Sequence, residues 1–370
     1  MGQADVCTPD VHGMTALHHA AMRNRASVVG LLLRSDASSQ LVGAVDRNDQ
    51  TSLDLAVGCN AGAVVALLTF YGAQERGGRA KKLRGTAIRN RAFRVVQADD
   101  KEYGRTALHW AVWRGSLRTA KFLKGKVNVN AMDKDQLAAI HIAAMGGNTA
   151  MIRLLVTDLE ADKEVKTGDG STALHLATAK GNDSTVRLLV SEFGVDMEAK
   201  TEDGSTALHL AAANGNDSTV RLLVSELGAD IEAKLGGSTA LHLAAANGNA
   251  STVRLLVSDL GADKEAKTED GSTAIHLAAA KGNDSTIRVL VSELGADKEA
   301  EIGDGSTALH QAAKFGHFSF VGMLIGALRA NKNHKDRSGK TPLINALIWW
   351  WVSDNPNEGR SISNCELLLQ

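Results

Sequence analysis

The sequence predicts an all-α solenoid of about ten helix-turn-helix units, and two observations support that prediction. The tetrapeptide Thr-Ala-Leu-His, or its variant with isoleucine, returns every 33 or 34 residues along much of the chain. A period in this range is typical of one supersecondary unit that stacks on its own copies. Each period also contains two apolar patterns at helical spacing, so two short helices fit in each unit. The clearest copies open at Thr172, Thr206, Thr239, Thr273 and Thr307.

Residues 203–215 predict a tight turn followed by a first helix. Asp203 and the glycine after it indicate the turn, because glycine takes a positive φ at no steric cost. Thr206 is a suitable N-cap, and His209 stands three residues later, where a capping side chain can reach back. The alanines and leucines between them form one apolar face, and Gly215 ends the helix after about two turns.

Residues 216–228 predict a second helix. Asn216-Asp217-Ser218 supplies N-cap residue types, and valine and leucine then follow at i, i+3, i+4 and i+7, which makes an amphipathic stripe. Gly228 ends the helix in the usual C′ position, and residues 229–234 run extended as a finger into the next turn. We interpret the recurring Asn-x-Ser tripeptide as a cap and not as a glycosylation site. Its other copies begin at Asn182, Asn249 and Asn283.

These motifs resemble the ankyrin repeat family. The resemblance rests on the Asp-Gly-x-Thr-x-Leu-His-x-Ala-Ala core, the Val-x-x-Leu-Leu second helix and the Gly-Ala-Asp exit. It covers nearly the whole chain and is most specific in residues 166–335, which resemble long fungal-type arrays. One departure is general, because the family's proline after the threonine is alanine here except at Thr341-Pro342. The resemblance implies an ankyrin-repeat α-solenoid with β-turn fingers, in which the repeated histidine bonds around its threonine and towards the neighbouring unit.

The repeats are predicted to form one array over residues 1–370 with two irregular segments. The interval from Thr51 to Thr106 exceeds one period, so we interpret residues 75–101 as a basic insert or a degenerate repeat. Residues 336–370 are interpreted as an atypical or truncated C-terminal repeat, because three tryptophans follow its opening. The units open at Thr15, Thr51, Thr106, Ala138, Thr172, Thr206, Thr239, Thr273, Thr307 and Thr341.

The composition favours a soluble intracellular protein. The formal net charge is −1, so no overall field favours nucleic acid or an anionic membrane. The three cysteines are far apart and lack CxxC spacing, which indicates free thiols in a reducing compartment. The N-terminus has no signal-peptide core, and the longest apolar stretch is roughly half of the ~20 residues that a spanning helix needs. We therefore expect a cytoplasmic monomer without membrane contact, with the nucleus as the alternative location.

The histidines are the obvious candidates for catalysis or metal binding, but their spacing argues against both. Eight of the twelve stand in the repeated slot, each a whole repeat from the next, and none has a second ligand at metal-binding spacing. No nucleophile, phosphate-loop or zinc-protease motif is present. We expect no enzyme activity, no metal, no cofactor and no small-molecule substrate. The slot holds His18, His109, His141, His175, His209, His242, His276 and His310.

Departures from the internal consensus mark candidate partner-binding residues. Trp110, Trp113 and Arg114 replace the usual first-helix residues in one repeat, and tryptophan and arginine are enriched at binding hot spots. The alternative is that both tryptophans fill space left by the irregular segment. The further candidates are Met145, Lys314 and Phe315.

A basic run between positions 76 and 94 contains no acidic residue. Such a run can engage phosphate or an acidic partner, or it can be a solvated insert that the acidic residues after it neutralise. The candidate residues of this basic patch are Arg79, Lys81, Lys82 and Arg84.

Together these features predict a protein–protein interaction scaffold. The partner is expected to bind the finger loops and the concave face of the first helices, although the fold does not identify it. The alternatives are the recognition or regulatory region of a larger multidomain protein, and weak nucleic-acid or phosphate binding through residues 76–94.

Overall fold

The fold is that of a computed structural model of the chain. The structure describes residues 6–33, 38–59, 61, 64–65, 67–68 and 103–352. The chain divides into two compact units, residues 1–168 and residues 169–370. In the described residues the regular structure is helical, with two isolated β-bridges, Val45–Thr51 and Leu235–Ser238. The predicted all-α stack of helix-turn-helix repeats is confirmed, whereas a single array over residues 1–370 stays a prediction.

The first unit contains the repeats that open at Thr15, Thr51, Thr106 and Ala138. Each first helix begins directly after the opening residue and spans seven residues. The helices are Ala16–Met22, Ala26–Leu32, Ser38–Gly43, Ser52–Gly58, Ala107–Trp113, Leu117–Phe122, Ala139–Met145 and Thr149–Arg153, and the last continues as a π-helical turn over Leu154–Asp158.

The second unit contains the repeats that open at Thr172, Thr206, Thr239, Thr273 and Thr307, and then the helix after Thr341. Consecutive first helices pack against one another, and each second helix packs against its own first helix. The first helices are Ala173–Ala179, Ala207–Ala213, Ala240–Ala246, Ala274–Lys281, Ala308–Lys314 and Pro342–Val352. The second helices are Asp183–Arg187, Asp217–Arg221, Ala250–Arg254, Asp284–Arg288 and Phe318–Gly326.

Eight of the first helices begin as the sequence predicts, because the repeated histidine closes their N-termini. The Nδ1 atom of His209 accepts the backbone N–H of Thr206 at 3.2 Å and lies 2.8 Å from the threonine hydroxyl. The repeat that opens at Thr51 has Asp54 in this slot, and its carboxylate accepts the threonine N–H and O–H, both at 2.8 Å. Helices of two turns are marginal alone, so this closure and the packing between repeats stabilise them.

Four second helices of the second unit change from α-helical to π-helical geometry after their first turn, which the sequence pattern did not predict. The π-helical turns cover Leu188–Glu192, Leu222–Glu226, Leu255–Asp259 and Val289–Glu293. Each ends in a backbone hydrogen bond that spans five residues, such as the 3.1 Å bond from Leu227 to Leu222. Gly228 follows with a φ of 80°, so the predicted C-terminal glycine is confirmed.

The predicted capping role of the repeated asparagines is wrong for the second unit. Asn216, Asn249 and Asn283 stand at N-cap positions, but their side chains accept no bond from their own helices. Each amide instead donates to two carbonyl groups at the C-terminus of the preceding repeat's first helix, as Asn249 does to Ala212 at 3.0 Å and to Ala213 at 2.9 Å. The asparagine therefore satisfies carbonyls that a helix end leaves without partners, and it ties two repeats together.

A second tie joins adjacent second helices of the second unit. Thr219 donates its hydroxyl to Asp183 of the preceding repeat, and Thr252 donates to Asp217 in the same way. The corresponding hydroxyl of Thr286 is buried without a hydrogen-bond partner. The preceding repeat has Ala250 where the other copies have aspartate, so the acceptor is absent.

The substitution Ala250→Asp is expected to raise the free energy of unfolding by about 1 kcal/mol, since it gives a buried donor its acceptor. The shift of the urea midpoint, at an unchanged m-value, measures the gain. Thr286→Val is the control, because it removes the unmatched hydroxyl and should abolish the effect of Ala250→Asp. A gain that persists in the Thr286→Val background would contradict this account.

The C-terminal end of the described chain differs from the internal repeats. The helix Pro342–Val352 has eleven residues, whereas the internal first helices have seven or eight. Leu347 on this helix is 44% exposed, although Ala313, at the corresponding position one repeat earlier, is fully buried. No helix among the described residues has the length and apolarity needed to cross a membrane. The predicted insert at residues 75–101 and the chain after residue 352 lie outside the described residues.

Candidate interaction surface

In the five repeats that open at Thr172, Thr206, Thr239, Thr273 and Thr307, three positions in or next to each first helix are not fully buried: the fourth, seventh and eighth residues after the opening residue. We call these three positions the first-helix face. In the second unit the fourth residue is a half-buried leucine in four consecutive repeats and a half-buried glutamine in the fifth. Because neighbouring first helices pack together, these side chains form a row. The leucine row is Leu176, Leu210, Leu243 and Leu277, and Gln311 continues it.

The seventh position places a small side chain beside each leucine of the row. It is a half-buried alanine in the four repeats with leucine and Lys314 in the fifth. The two positions are three residues apart in one helix, so their side chains lie on the same face. The surface of the second unit therefore repeats one small apolar motif, leucine beside alanine, once in every repeat. The alanines are Ala179, Ala213, Ala246 and Ala280.

The fingers border the row at the N-terminal ends of the first helices. Asp203 accepts the hydroxyl of Thr201 and the backbone N–H of Ser205, and these bonds lower the pKa of its carboxyl. Asp270 makes the same contacts with Thr268 and Ser272, with the same effect on its pKa. These carboxylates are charged at neutral pH and shape the turn. The finger edge therefore presents fixed negative charge.

Carboxylates also connect the fingers of successive repeats. Glu232 accepts the backbone N–H of Asp263 at 2.8 Å, and the carboxylate of Asp263 accepts the N–H of Glu265 at 2.9 Å. Glu265 in turn accepts the N–H of Asp297 at 2.8 Å, so the pattern continues into the next repeat. These contacts give the finger residues defined positions relative to their neighbours.

The repeated imidazoles have structural partners at both ring nitrogens. In all eight copies Nδ1 accepts the backbone N–H of the opening residue at 2.9–3.2 Å. Nε2 lies 2.9–3.2 Å from a carbonyl oxygen near the start of the next repeat, to which it donates. A carbonyl can only accept, so the rings are neutral with the proton on Nε2. The part of the chain that the structure describes contains no group of three residues suited to a metal ion.

The structure places the two candidate tryptophans of the first unit in different environments. Trp110, at the fourth position, is 2% exposed and lies under the guanidinium group of Arg105 at 5.5 Å. Trp113, at the seventh position, is 41% exposed and meets the edge of Trp110 with ring centroids 5.6 Å apart. The burial of Trp110 favours the packing alternative for this residue. Trp113 combines an exposed face with fixed neighbours.

Arg114 and Met145 belong to the first-helix face in two successive repeats of the first unit. The guanidinium group of Arg114 donates to the carbonyl of Gly30 at 2.9 Å, which holds this half-buried side chain against another helix. Trp113 lies beside the same glycine, since a methyl group at Gly30 would stand 3.6 Å from its ring. Met145 is half-buried at the seventh position of its repeat.

Lys314 and Phe315 occupy the seventh and eighth positions of the repeat that opens at Thr307. Both are exposed, Phe315 to 44%, and the lysine ammonium lies 5.6 Å from the phenyl ring. The basic patch stays a prediction, because its residues lie outside the described part of the chain. Those residues are Arg79, Lys81, Lys82 and Arg84.

The leucine row did not stand out in the sequence analysis as a candidate surface. Its only signal was the recurrence of leucine directly after the histidine in four consecutive repeats, which a buried core position would show equally well. Phe122 was also missed, although it is 57% exposed and has the ammonium group of Lys126 3.2 Å from its ring centroid. It belongs to a second helix and lies outside the first-helix face.

The chain belongs to the ankyrin repeat family. The family pattern described as ankyrin repeats in three copies matches residues 108–201, 140–235 and 233–302. The single ankyrin repeat pattern matches residues 12–46 and 304–337. Ankyrin repeats generally mediate protein–protein interaction, and their fold is typically non-enzymatic.

Curated relatives share only part of their length with this chain. The mouse nuclear factor NF-kappa-B p105 subunit is 27% identical over 154 residues, which cover 41% of this chain and 14% of the relative. The palmitoyltransferase AKR1 of Lachancea kluyveri is 29% identical over 177 residues, 44% of this chain and 24% of the relative. The crystal structure of the ankyrin repeat domain of Bcl-3 is similar at 33% identity with a TM-score of 0.48, covering 56% of this chain and 94% of that one.

Proposed function

We propose that this chain is a non-enzymatic interaction scaffold that binds a partner protein through its first-helix face and the adjoining fingers. The observation that carries the proposal is the placement of two exposed aromatic side chains on this face, Trp113 and Phe315. In the four repeats that open at Thr172, Thr206, Thr239 and Thr273, by contrast, the first-helix sequence is nearly unchanged. Large aromatic side chains that are exposed but held in place are the usual anchors of protein interfaces.

The contacts of Trp113 support its role as an anchor. Its ring is fixed by the edge of Trp110 and by the chain at Gly30, so little side-chain entropy is lost when a partner covers it. Trp110 supports that position from below, and the nearby guanidinium of Arg105 is itself bonded to the buried carboxylate of Asp133 at 3.0 Å. The first unit thus holds one exposed tryptophan on a rigid base.

The test is alanine substitution followed by capture of partners from the native cell and mass spectrometry. Trp113→Ala and Phe315→Ala are each expected to weaken the captured complex by about 2 kcal/mol while the melting temperature changes little. Phe122→Ala is the matched control, because it removes an even more exposed ring from a second helix and should leave capture intact. Trp110→Ala should instead lower stability by about 3–5 kcal/mol. Capture that survives both anchor substitutions would contradict the proposal.

The scaffold can also be the recognition or regulatory region of a larger protein. The supporting observation is that this chain spans between 14% and 24% of the length of the curated relatives it matches. In that arrangement the repeats bind a target while another part of the protein acts on it.

A further inference from the structure

The near-identical repeats of the second unit present a regularly repeating surface. Four consecutive repeats present the same leucine and the same alanine at the same two helix positions, all half-buried. A surface that repeats at a constant pitch matches best a ligand that repeats at the same pitch. Neighbouring packed helices lie about 8–10 Å apart, which sets the distance from one leucine to the next.

Among regular conformations of a protein segment, polyproline II fits this pitch. It has three residues per turn and rises ~3.1 Å per residue, so every third side chain faces the same way at intervals of about 9.3 Å. A β-strand places every third side chain on alternating faces, because its period is two. An α-helix returns only after seven residues, or about 10.5 Å, and drifts by roughly 20° at each return.

Charge borders the leucine row differently on its two sides. The last few finger residues directly before Thr172, Thr206, Thr239, Thr273 and Thr307 expose seven carboxylates and three lysines within the second unit. These segments are residues 169–171, 200–205, 234–238, 267–272 and 301–306. The opposite edge, at the C-terminal ends of the first helices, exposes lysine, asparagine and one phenylalanine and no carboxylate. The carboxylates are Asp169, Glu202, Asp203, Glu269, Asp270, Glu301 and Asp304, and the lysines among them are Lys200, Lys234 and Lys267. The opposite edge consists of Lys180, Asn214, Asn247, Lys281 and, in the fifth repeat, Lys314 and Phe315.

We propose that the leucine row binds an extended, proline-rich segment of a partner protein, with an apolar side chain at every third residue and basic side chains towards the fingers. This inference rests on the proposed scaffold function and names the chemistry of one partner segment. Each apolar side chain of the segment packs against one leucine of the row and over the alanine at the seventh position of the same helix. The basic side chains face the carboxylates of the fingers.

Fluorescence anisotropy with synthetic peptides tests the inference on the full chain. The probes are two labelled peptides, one with four Lys-Leu-Pro triplets and one with four Pro-Leu-Lys triplets. The two sequences test both directions in which the segment can run along the leucine row. One of them is expected to bind at least about tenfold more tightly than a peptide of the same composition with its leucines in one block. The inference fails if the block peptide binds equally well, or if a helical peptide with leucine at every seventh residue binds more tightly than either triplet.

The protein itself provides matched variants. Gln311 occupies the row position in a folded repeat, so Leu210→Gln and Leu243→Gln are compatible with the fold, and each should weaken the triplet peptide about tenfold. Gln311→Leu extends the row and should tighten a five-triplet peptide by a similar factor. Unchanged affinity in all three variants overturns the inference. The capture experiment with Trp113→Ala and Phe315→Ala tests the scaffold function separately. The scaffold function and the binding of a proline-rich segment can therefore fail independently.

Discussion

Lowering the pH from about 7.5 to about 5.5 is expected to reduce the free energy of unfolding by several kcal/mol. Each imidazole with a lowered pKa contributes up to about 1.4 kcal/mol per pH unit. Burial lowers the pKa of six of the repeated histidines below their ordinary value of 6.5 in the folded chain. In the unfolded chain they titrate near 6.5, so below that pH the unfolded state binds more protons and is favoured. The six are His18, His109, His209, His242, His276 and His310.

The geometry explains why the folded state resists protonation. A second proton would go to Nδ1, which already accepts the backbone N–H of the opening threonine, as in His242 with Thr239 at 3.1 Å. A protonated ring can only donate, so that bond is lost and a buried donor is left without an acceptor. The carboxyl groups with lowered pKa, such as Asp203 and Asp270, titrate at more acidic pH and do not contribute in this window.

Urea unfolding followed by circular dichroism, at constant ionic strength, measures this dependence. The midpoint should be constant above about pH 7.5 and should fall progressively below the unfolded-state pKa of 6.5. A midpoint that is the same at both pH values would show that the imidazoles are not held neutral.

Gly237→Ala is expected to destabilise the chain by about 3 kcal/mol or more, whereas Gly236→Ala should cost only about 1 kcal/mol. Both glycines lie in the finger before Thr239, Gly237 with a φ of 81° and Gly236 with a φ of 52°. A methyl group on Gly237 would stand 2.7 Å from the backbone nitrogen of Glu269 in the next finger, whereas one on Gly236 would meet nothing within 4 Å. Comparing the two variants therefore separates the destabilisation due to a positive φ from the destabilisation due to the close approach of two fingers.

Equilibrium unfolding of the two variants beside the parent chain measures the difference, and Gly236→Ala serves as the control for backbone conformation. Equal losses for the two variants would mean that the fingers are not in contact at this point. A larger loss for Gly237→Ala supports the fixed finger geometry on which the proposed surface depends.

The sequence predicted the parts of the fold that depend on local contacts. Thr206 and His209 are three residues apart, so their bond follows from helix geometry alone, and Gly228 is placed by the end of its own helix. The capping role of Asn249 was predicted wrongly because its true partners, Ala212 and Ala213, belong to the preceding repeat. No local rule indicates that a side chain with a nearby orphan N–H will bond to a different repeat.

The candidate site was predictable in residue type but not in exposure. Trp110 and Trp113 both departed from the consensus, yet only the fold shows that one is buried beneath Arg105 and the other is open. The leucine row could not be distinguished from core in the sequence, because periodicity alone does not show which half-buried residues face solvent. The cytoplasmic location and the monomeric state stay predictions.

Hydroxyl-radical footprinting of the captured complex tests the claim that a partner covers the first-helix face. We expect Trp113 and Phe315 to lose reactivity when the partner is bound, while Phe122 on its second helix reacts as in the free chain. Protection of Phe122 with unchanged reactivity at Trp113 and Phe315 would place the partner on another surface and contradict the claim.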